Sequence, residues 1–202
     1  MRKDITGIIL CGGKSSRMQT NKALLKLGDK LVIEIILSEM KKVFDVVLIS
    51  TNDCDDFSFL NIPIIKDIQV NRGPLIGIYS TLKESTTKNN FIVACDLPMI
   101  NHQLINYLIS INSTKEVVIP TLNGVPEKLF GIYNRSVAKK IEEIFSLSES
   151  NELIKGSVYE LYQRVSVELV EIENLPFYNE NTFLNMNTPE DFESIKKIFE
   201  KQ

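Results

Sequence analysis

The sequence predicts an α/β domain built on a mostly parallel sheet with helices on both faces, and three observations predict it. Short apolar runs alternate with helix-period segments along most of the 202 residues, the connections between them are short, and the innermost runs are apolar at nearly every position. Hydrophobic residues are 44% and charged residues 24% of the chain, enough to build a core and unlike a disordered or collagen-like composition. No linker, repeat or low-complexity tract interrupts the pattern, so residues 1–202 are read as one domain.

Residues 5–11 (ITGIILC) form an almost continuous apolar run ending at Gly12-Gly13, as a strand buried on both faces does. A polar, basic, glycine-containing loop follows as far as Lys22. Residues 31–43 (LVIEIILSEMKKV) place apolar side chains at helical spacing and lysines near the end, where the helix dipole favours them. Residues 45–51 (DVVLIST) read as a second strand and residues 62–66 as a shorter third. Pro74 fits the first turn of a helix running to Lys83. Residues 91–95 (FIVAC) are another buried strand, closed by Asp96-Leu97-Pro98, and Asn101 caps a helix that extends to Ile111. Apolar runs at 116–120 and 128–133 then flank Asn123-Gly124, a strong hairpin signal. Helix resumes over 137–145, residues 146–151 read as a polar surface loop, and residues 153–164 as a further helix. Residues 165–172 (VSVELVEI) alternate strictly, which fits a half-exposed strand at a sheet edge. Thr188-Pro189-Glu190-Asp191 opens the last helix with a cap, a proline at the first position and acids in the first turn.

A net charge of −3, from 23 basic and 26 acidic residues, offers no bulk attraction for nucleic acid. The distribution is uneven. Residues 1–30 carry seven basic side chains (Arg2, Lys3, Lys14, Arg17, Lys22, Lys26 and Lys30) against Asp4 and Asp29, a local +5 that leaves −8 for the remainder. Three cysteines without a CxxC pair point to reduced thiols in a cytoplasmic setting, with Cys11 and Cys95 read as small buried hydrophobes. No secretory h-region and no stretch of ~20 apolar residues is present, so a soluble protein without membrane contact is expected. The single histidine, His102, lies at a polar helix start and is expected to be exposed. No GxSxG elbow accompanies it, so a Ser-His-Asp triad has no support. Asp53, Asp55 and Asp56 lack EF-hand spacing and read as a solvated loop.

The segment richest in chemistry is Leu10-Cys11-Gly12-Gly13-Lys14-Ser15-Ser16-Arg17-Met18, followed by Lys22. A buried strand running into two glycines brings backbone N–H groups to the carboxyl edge of the sheet, where open α/β folds bind ligands. The glycines let phosphate oxygens approach, and Arg17 and Lys22 supply charge for a polyphosphate. A Walker loop is excluded, because its first glycine would fall on Ile8, and GxGxxG is also absent. A bare Gly-Gly would be no more than a solvated turn; the two cations at this spacing favour phosphate. Asp96 ends an apolar strand where a carboxylate suits Mg²⁺, although such an Asp is equally an ordinary turn residue. Asp67, ending the strand at 62–66, has the same two readings. Arg72-Gly73-Pro74-Leu75-Ile76-Gly77 is a helix start whose N–H groups can face an anion or a base edge, or merely a turn. Asn185 and Asn187 precede the Thr188 cap, where a strand giving way to a helix would leave unpaired N–H groups. Their amides each offer an acceptor and two donors to a ligand, or else shape the turn.

Together these residues resemble the molybdenum cofactor guanylyltransferases, nucleotidyltransferases that attach GMP to molybdopterin. The family signature Leu-Ala-Gly-Gly-x-Ser-x-Arg-Met-Gly-x-Asp-Lys-Ala-Leu-Leu is similar to residues 10–25 of this chain, LCGGKSSRMQTNKALL. Gly73-Pro74-Leu75-Ile76-Gly77, Cys95-Asp96-Leu97-Pro98 and Asn185-Met186-Asn187-Thr188-Pro189-Glu190-Asp191 resemble the later family motifs, in the family's order. Gln19 replaces a usual glycine, Asn21 a usual aspartate, and Lys128 a usual proline. The resemblance implies a Rossmann-like domain of the nucleotide-diphospho-sugar-transferase type with a β-hairpin insertion. It implies that Leu10, Cys11, Gly12 and Gly13 line GTP through the backbone. Lys22 and Arg17 would act on the phosphates, Ser50 or Asn52 with Asp67 and Gly73 would complete the nucleotide pocket, and Asp96 would hold Mg²⁺. Asn185 and Asn187 are assigned to the acceptor. The implied reaction joins GMP to the terminal phosphate of molybdopterin and releases pyrophosphate. That phosphate is already an anion near pH 7, with a second pKa of about 6, so no general base is needed. The implied partners are the two substrates, with transient contact to molybdoenzymes or other cofactor-biosynthesis proteins. The competing readings are a related transferase using CTP or a sugar-phosphate acceptor, and a nucleotide-binding protein without catalysis, to which Gln19 and Asn21 lend weight.

Overall fold

The protein is described by a computed structural model over residues 1–12, 21–68, 73–150 and 156–201. The strands are β1 (Ile5–Leu10), β2 (Lys26–Leu27), β3 (Lys30–Leu31), β4 (Val47–Ser50), β5 (Ile64–Ile65), β6 (Asn89–Ala94), β7 (Val117–Leu122), β8 (Val125–Pro126), β9 (Phe130–Asn134) and β10 (Val167–Glu171). The helices are α1 (Val32–Lys41), α2 (Pro74–Glu84), α3 (His102–Ser110), α4 (Val137–Ser150), α5 (Val158–Tyr162) and α6 (Pro189–Phe199).

The main sheet runs β10-β7-β9-β6-β1-β4-β5, with β8 paired to β7. Pairing is parallel except around β9, which runs antiparallel to β6 and β7, and at the β7–β8 hairpin. This is the mostly parallel, helix-covered sheet that the alternating pattern predicts. β1 lies inside the sheet between β6 and β4 and is buried along its whole length. The chain leaves β1 through α1 to reach β4 on one side and returns through α2 to β6 on the other. The carboxyl end of β1 is therefore a topological switch point, the place where such sheets open a crevice.

Alternate residues of each central strand serve opposite faces. Ile5, Ile9, Phe91 and Val93 pack with α1, α3 and α6, whereas Ile8, Leu10 and Ile92 pack with α2, α4 and α5. On the first face, four aromatic rings form a relay. Phe44 lies 5.6 Å from Phe91, Phe91 meets Phe130 edge-on at 4.9 Å, and Phe130 meets Phe183 at 5.2 Å. The relay ties the segment preceding α6 to the middle of the core. No helix among the described residues is long and apolar enough to cross a membrane.

Most local expectations hold. Asn101 Oδ1 accepts from Leu104 N at 2.8 Å, and Thr188 with Asp191 forms a capping box over Pro189. Asn123 and Gly124 have φ of 50° and 76°, the paired left-handed geometry of a two-residue hairpin. Its return strand is β8, and the following run, β9, enters the sheet between β7 and β6. β10 is an edge strand.

Four expectations are corrected. Residues 146–150 are not a loop but continue α4, because Ile144 and Phe145 are anchored in the core and serine costs a helix little once its apolar face is held. The helix expected over 153–164 is Val158–Tyr162, since Ser157 caps it by accepting from Glu160 N; residues 153–155 lie outside the described residues. His102 is not simply exposed: its N–H and ring Nδ1 both meet Glu39 Oε2 at 2.8 Å, tying α3 to α1. Asn185 and Asn187 follow no strand; they lie in an irregular stretch laid across the carboxyl end of the sheet. Asp55 and Asp56 are exposed as expected, in a 3₁₀ turn over Cys54–Leu60.

Phe130 is fully buried and touches two rings of the relay. Phe130→Ala is expected to cost about 3–5 kcal/mol of unfolding free energy, measured by urea denaturation. A loss below about 1 kcal/mol would mean that the relay is not a packing unit.

Candidate active site

Three parallel strands end side by side here. Cys11 N donates to Ser50 O at 2.8 Å and Cys95 N donates to Leu10 O at 3.1 Å, which aligns the residues leaving β1, β4 and β6. Ser50 and Asn52 leave β4 and Asp67 follows β5. Ser50 Oγ donates to Asp67 Oδ1 at 2.9 Å, and Asn52 Nδ2 donates to Asp67 Oδ2 at 3.2 Å. Burial pushes the Asp67 carboxyl up in pKa, and the bonds from Ser50 and Asn52 oppose it. A side chain on Gly12 would begin 3.3 Å from Asp67 Oδ2, so the backbone at Gly12 lies directly against this cluster. Gly73 is the N-cap of α2 with φ of 67°.

Gly77 explains how α2 comes so close. A Cβ there would stand 2.8 Å from Ser50 Oγ and 3.4 Å from both Asp67 Oδ1 and Leu10 Cδ2. Only a residue without a side chain lets α2 pack against the ends of β1 and β4 while Ser50 keeps its bond to Asp67. Gly77 completes the family-like Gly-Pro-Leu-x-Gly motif, but the reason for it becomes visible only through contacts from elements 27 and 10 residues away.

A second cluster forms beside the first. Lys22 Nζ donates to Asn187 Oδ1 at 3.0 Å and lies 3.9 Å from Asp96 Oδ2. The Asn187 segment is held in place because Met186 N donates to Asp96 O at 3.1 Å and Asn187 N to Asp191 Oδ2 at 3.0 Å. Asp96 Oδ1 is buried without a hydrogen-bond partner among the described residues. Burial raises the Asp96 pKa and the Lys22 ammonium opposes it. A buried, orphaned carboxylate oxygen is costly on its own, and a divalent cation is a ligand that would satisfy it. No cluster of three or more His, Cys, Asp or Glu among the described residues is arranged for a metal.

The structure thus brings together Leu10, Cys11, Gly12, Ser50, Asn52, Asp67 and Gly73 in one group, and Lys22, Asp96 and Asn187 in another. Asn185 is near but turned away, its amide donating to Phe183 O at 3.2 Å. Gly13, Arg17, Gln19 and Arg72 lie outside the described residues. Asn21 accepts from Ala23 N at 3.2 Å and caps the 3₁₀ turn Lys22–Leu24, so the amide does the capping work expected of an aspartate. Sequence reasoning did not single out Glu127 as a site residue. Its N–H donates to Pro120 O at 2.9 Å, and its carboxyl pKa is raised by burial and further by the charge of Asp96. Nothing local marks it, because the hairpin alone delivers it to the mouth of the site.

The chain matches the MobA-like NTP transferase domain over residues 7–165. It belongs to that family. It is 34% identical to a probable molybdenum cofactor guanylyltransferase of Carboxydothermus hydrogenoformans, over 98% of each chain. It is 35% identical to one of Clostridium perfringens, over 94% of each. In fold it is similar to the molybdopterin-guanine dinucleotide biosynthesis protein A of Archaeoglobus fulgidus, with a TM-score of 0.81 at 22% identity, over 98% of this chain and 100% of that one. The protein is a nucleotidyltransferase of this family.

Gly77→Ala should weaken nucleoside triphosphate binding at least tenfold, about 1.4 kcal/mol, because Ser50 must leave Asp67 to admit the methyl group. Calorimetric titration decides this; unchanged affinity would remove the Ser50–Asp67 pair from the pocket. Asp96→Asn is expected to make the ligand-free protein relatively more stable as pH rises. The native carboxyl holds its proton above the unfolded value of about 3.9, so its favourable contribution is present below that value and is lost as pH climbs through the raised one. Melting temperatures in chelator between pH 4 and 7 should diverge in favour of the variant. Divergence in favour of the parent would mean that pairing with Lys22 outweighs burial.

Proposed function

We propose that this protein transfers GMP from GTP to the terminal phosphate of molybdopterin and releases pyrophosphate. The observation that carries the reading is the placement of Lys22 between Asp96 and Asn187, next to the Gly12–Ser50–Asp67 cluster. It gathers a cation, an acid and an amide beside the ends of the central strands, which supports a site where nucleotide and acceptor would meet. The names of the relatives support the choice of donor and acceptor.

In this reading the backbone at Leu10, Cys11, Gly12 and Gly13 and the side chains of Ser50, Asn52 and Asp67 hold the nucleoside, with Gly73 at the start of α2 beside them. Lys22 and Arg17 neutralise the phosphates. Asp96 is the residue that would hold Mg²⁺, and its orphaned Oδ1 fits that use. The ion would supply charge neutralisation on the triphosphate. The acceptor phosphate oxygen forms a bond to the α-phosphorus as the bond to the bridging oxygen of pyrophosphate breaks. The acceptor is already ionised, so the protein contributes position and charge rather than a base. Asn187 is assigned to the acceptor side. Asn185, bonded to Phe183 O, shapes the segment that presents it. A cytoplasmic setting is part of this reading, and molybdoenzymes or other cofactor-biosynthesis proteins are proposed as transient recipients.

The test is pyrophosphate release with molybdopterin and a panel of GTP, CTP, ATP and UTP. Turnover with GTP is expected; preference for CTP, or binding without turnover, would overturn the reading. In the same assay Asn187→Ala should lower kcat/KM for molybdopterin at least tenfold with GTP affinity retained, while Asn185→Ala should mainly lower the melting temperature. The reverse pattern would move the acceptor contact to Asn185.

A further inference from the structure

Cys11 and Cys95 occupy neighbouring positions at the ends of adjacent strands. The β1–β6 register pairs Leu10 with Ala94, and one residue further the two cysteines face each other. Cys95 N donates to Leu10 O at 3.1 Å, which carries the register past the end of the ladder. Both side chains lie on the α1–α3–α6 face, Cys11 buried and Cys95 partly buried against the same cluster. Parallel neighbours stand about 4.8 Å apart, inside the roughly 4.4–6.8 Å between Cα atoms that a disulfide spans. Cys11 is followed by Gly12, which abuts Asp67, and Cys95 is followed by Asp96 with its orphaned oxygen.

We propose that Cys11 and Cys95 are a redox modification site: a peroxide converts the pair to a disulfide that disables the nucleotide end of the sheet. Cys95, the more accessible thiol, attacks the peroxide oxygen; the O–O bond breaks, Cys95 becomes a sulfenic acid and one water leaves. The Cys11 sulfur then attacks the Cys95 sulfur, the S–O bond breaks and a second water leaves. Two thiols and one hydrogen peroxide thus give one disulfide and two waters. Burial and the hydrogen-bonded Cys95 thiol push the Cys11 thiol up in pKa, so the more exposed Cys95 meets the oxidant first. Drawing the sulfurs to about 2.05 Å pulls on the two residues that lead into Gly12 and Asp96. Both are already tied by backbone hydrogen bonds, so the strain falls on the site.

The inhibitory consequence rests on the nucleotide site proposed above, but the cross-link itself does not. The reduced protein is treated with hydrogen peroxide, blocked with a thiol reagent and digested. Peptides containing Cys11 and Cys95 should appear joined, with Cys54 blocked as a free thiol. Affinity for a fluorescent GTP analogue should fall at least tenfold and return with dithiothreitol. Cys54→Ser should respond like the parent. Cys11→Ala and Cys95→Ala, each compared with its own reduced form, should show neither the linked peptides nor the reversible loss. Absence of the linked peptides, or oxidation of Cys95 alone to a sulfinic acid, would overturn the site. Linked peptides with unchanged affinity would overturn its effect on the nucleotide end. Neither result depends on which acceptor the enzyme uses.

Discussion

The parallel ladder joining β6, β1 and β4 sets where Gly12, Ser50 and Asp96 stand. Its last two hydrogen bonds, from Cys95 N to Leu10 O and from Cys11 N to Ser50 O, hold three chain ends level. Because the register is parallel, the residues that leave the strands emerge on the same edge. Gly12, Ser50 and Asp96 are therefore neighbours although they are 38 to 84 residues apart. The apolar side chains of β1, buried on both faces, specify that register: a slip by one residue would exchange the groups packed against α1 and α2.

On this rigid edge the protein gathers charge that folding alone would disfavour. Burial raises the pKa of Asp67, Asp96 and Glu127. Lys22 opposes the effect at Asp96, and Ser50 with Asn52 does so at Asp67. The arrangement is half-compensated, as expected of a site whose remaining partners arrive with the substrate. Lys22 also joins pieces distant in sequence. It follows Gly12-Gly13 in the sequence, pairs with the acid after β6, and bonds to the segment before α6 through Asn187. The aromatic relay ending in Phe183 holds that last segment down, so core packing on one face reaches the segment that carries Asn187.

Much of this was legible in residue order, and the exceptions share a cause. Strands, caps and the hairpin turn depend on local chemistry: Asn123-Gly124, Thr188-Pro189 and the run at 5–10 each carry their own signal. The end of α4 and the start of α5 carry no local signal, because serines and a glycine say little about whether a nearby Phe145 is anchored. His102 carries none of its partner, Glu39, which lies 63 residues away.

By itself the sequence determined the α/β class, most of the order of elements, and the position of Asp67 and Asp96 at strand ends. Those features follow from periodicity and turn chemistry, which act over a few residues. The tertiary structure alone decided which of these side chains meet. It set Asn187 rather than Asn185 on Lys22, brought Glu127 toward Asp96, placed Cys11 beside Cys95, and made Gly77 the point where α2 touches Ser50 and Asp67. Such contacts depend on strand order and register. These arise from burying two faces of one sheet at once, and no stretch of sequence contains that geometry.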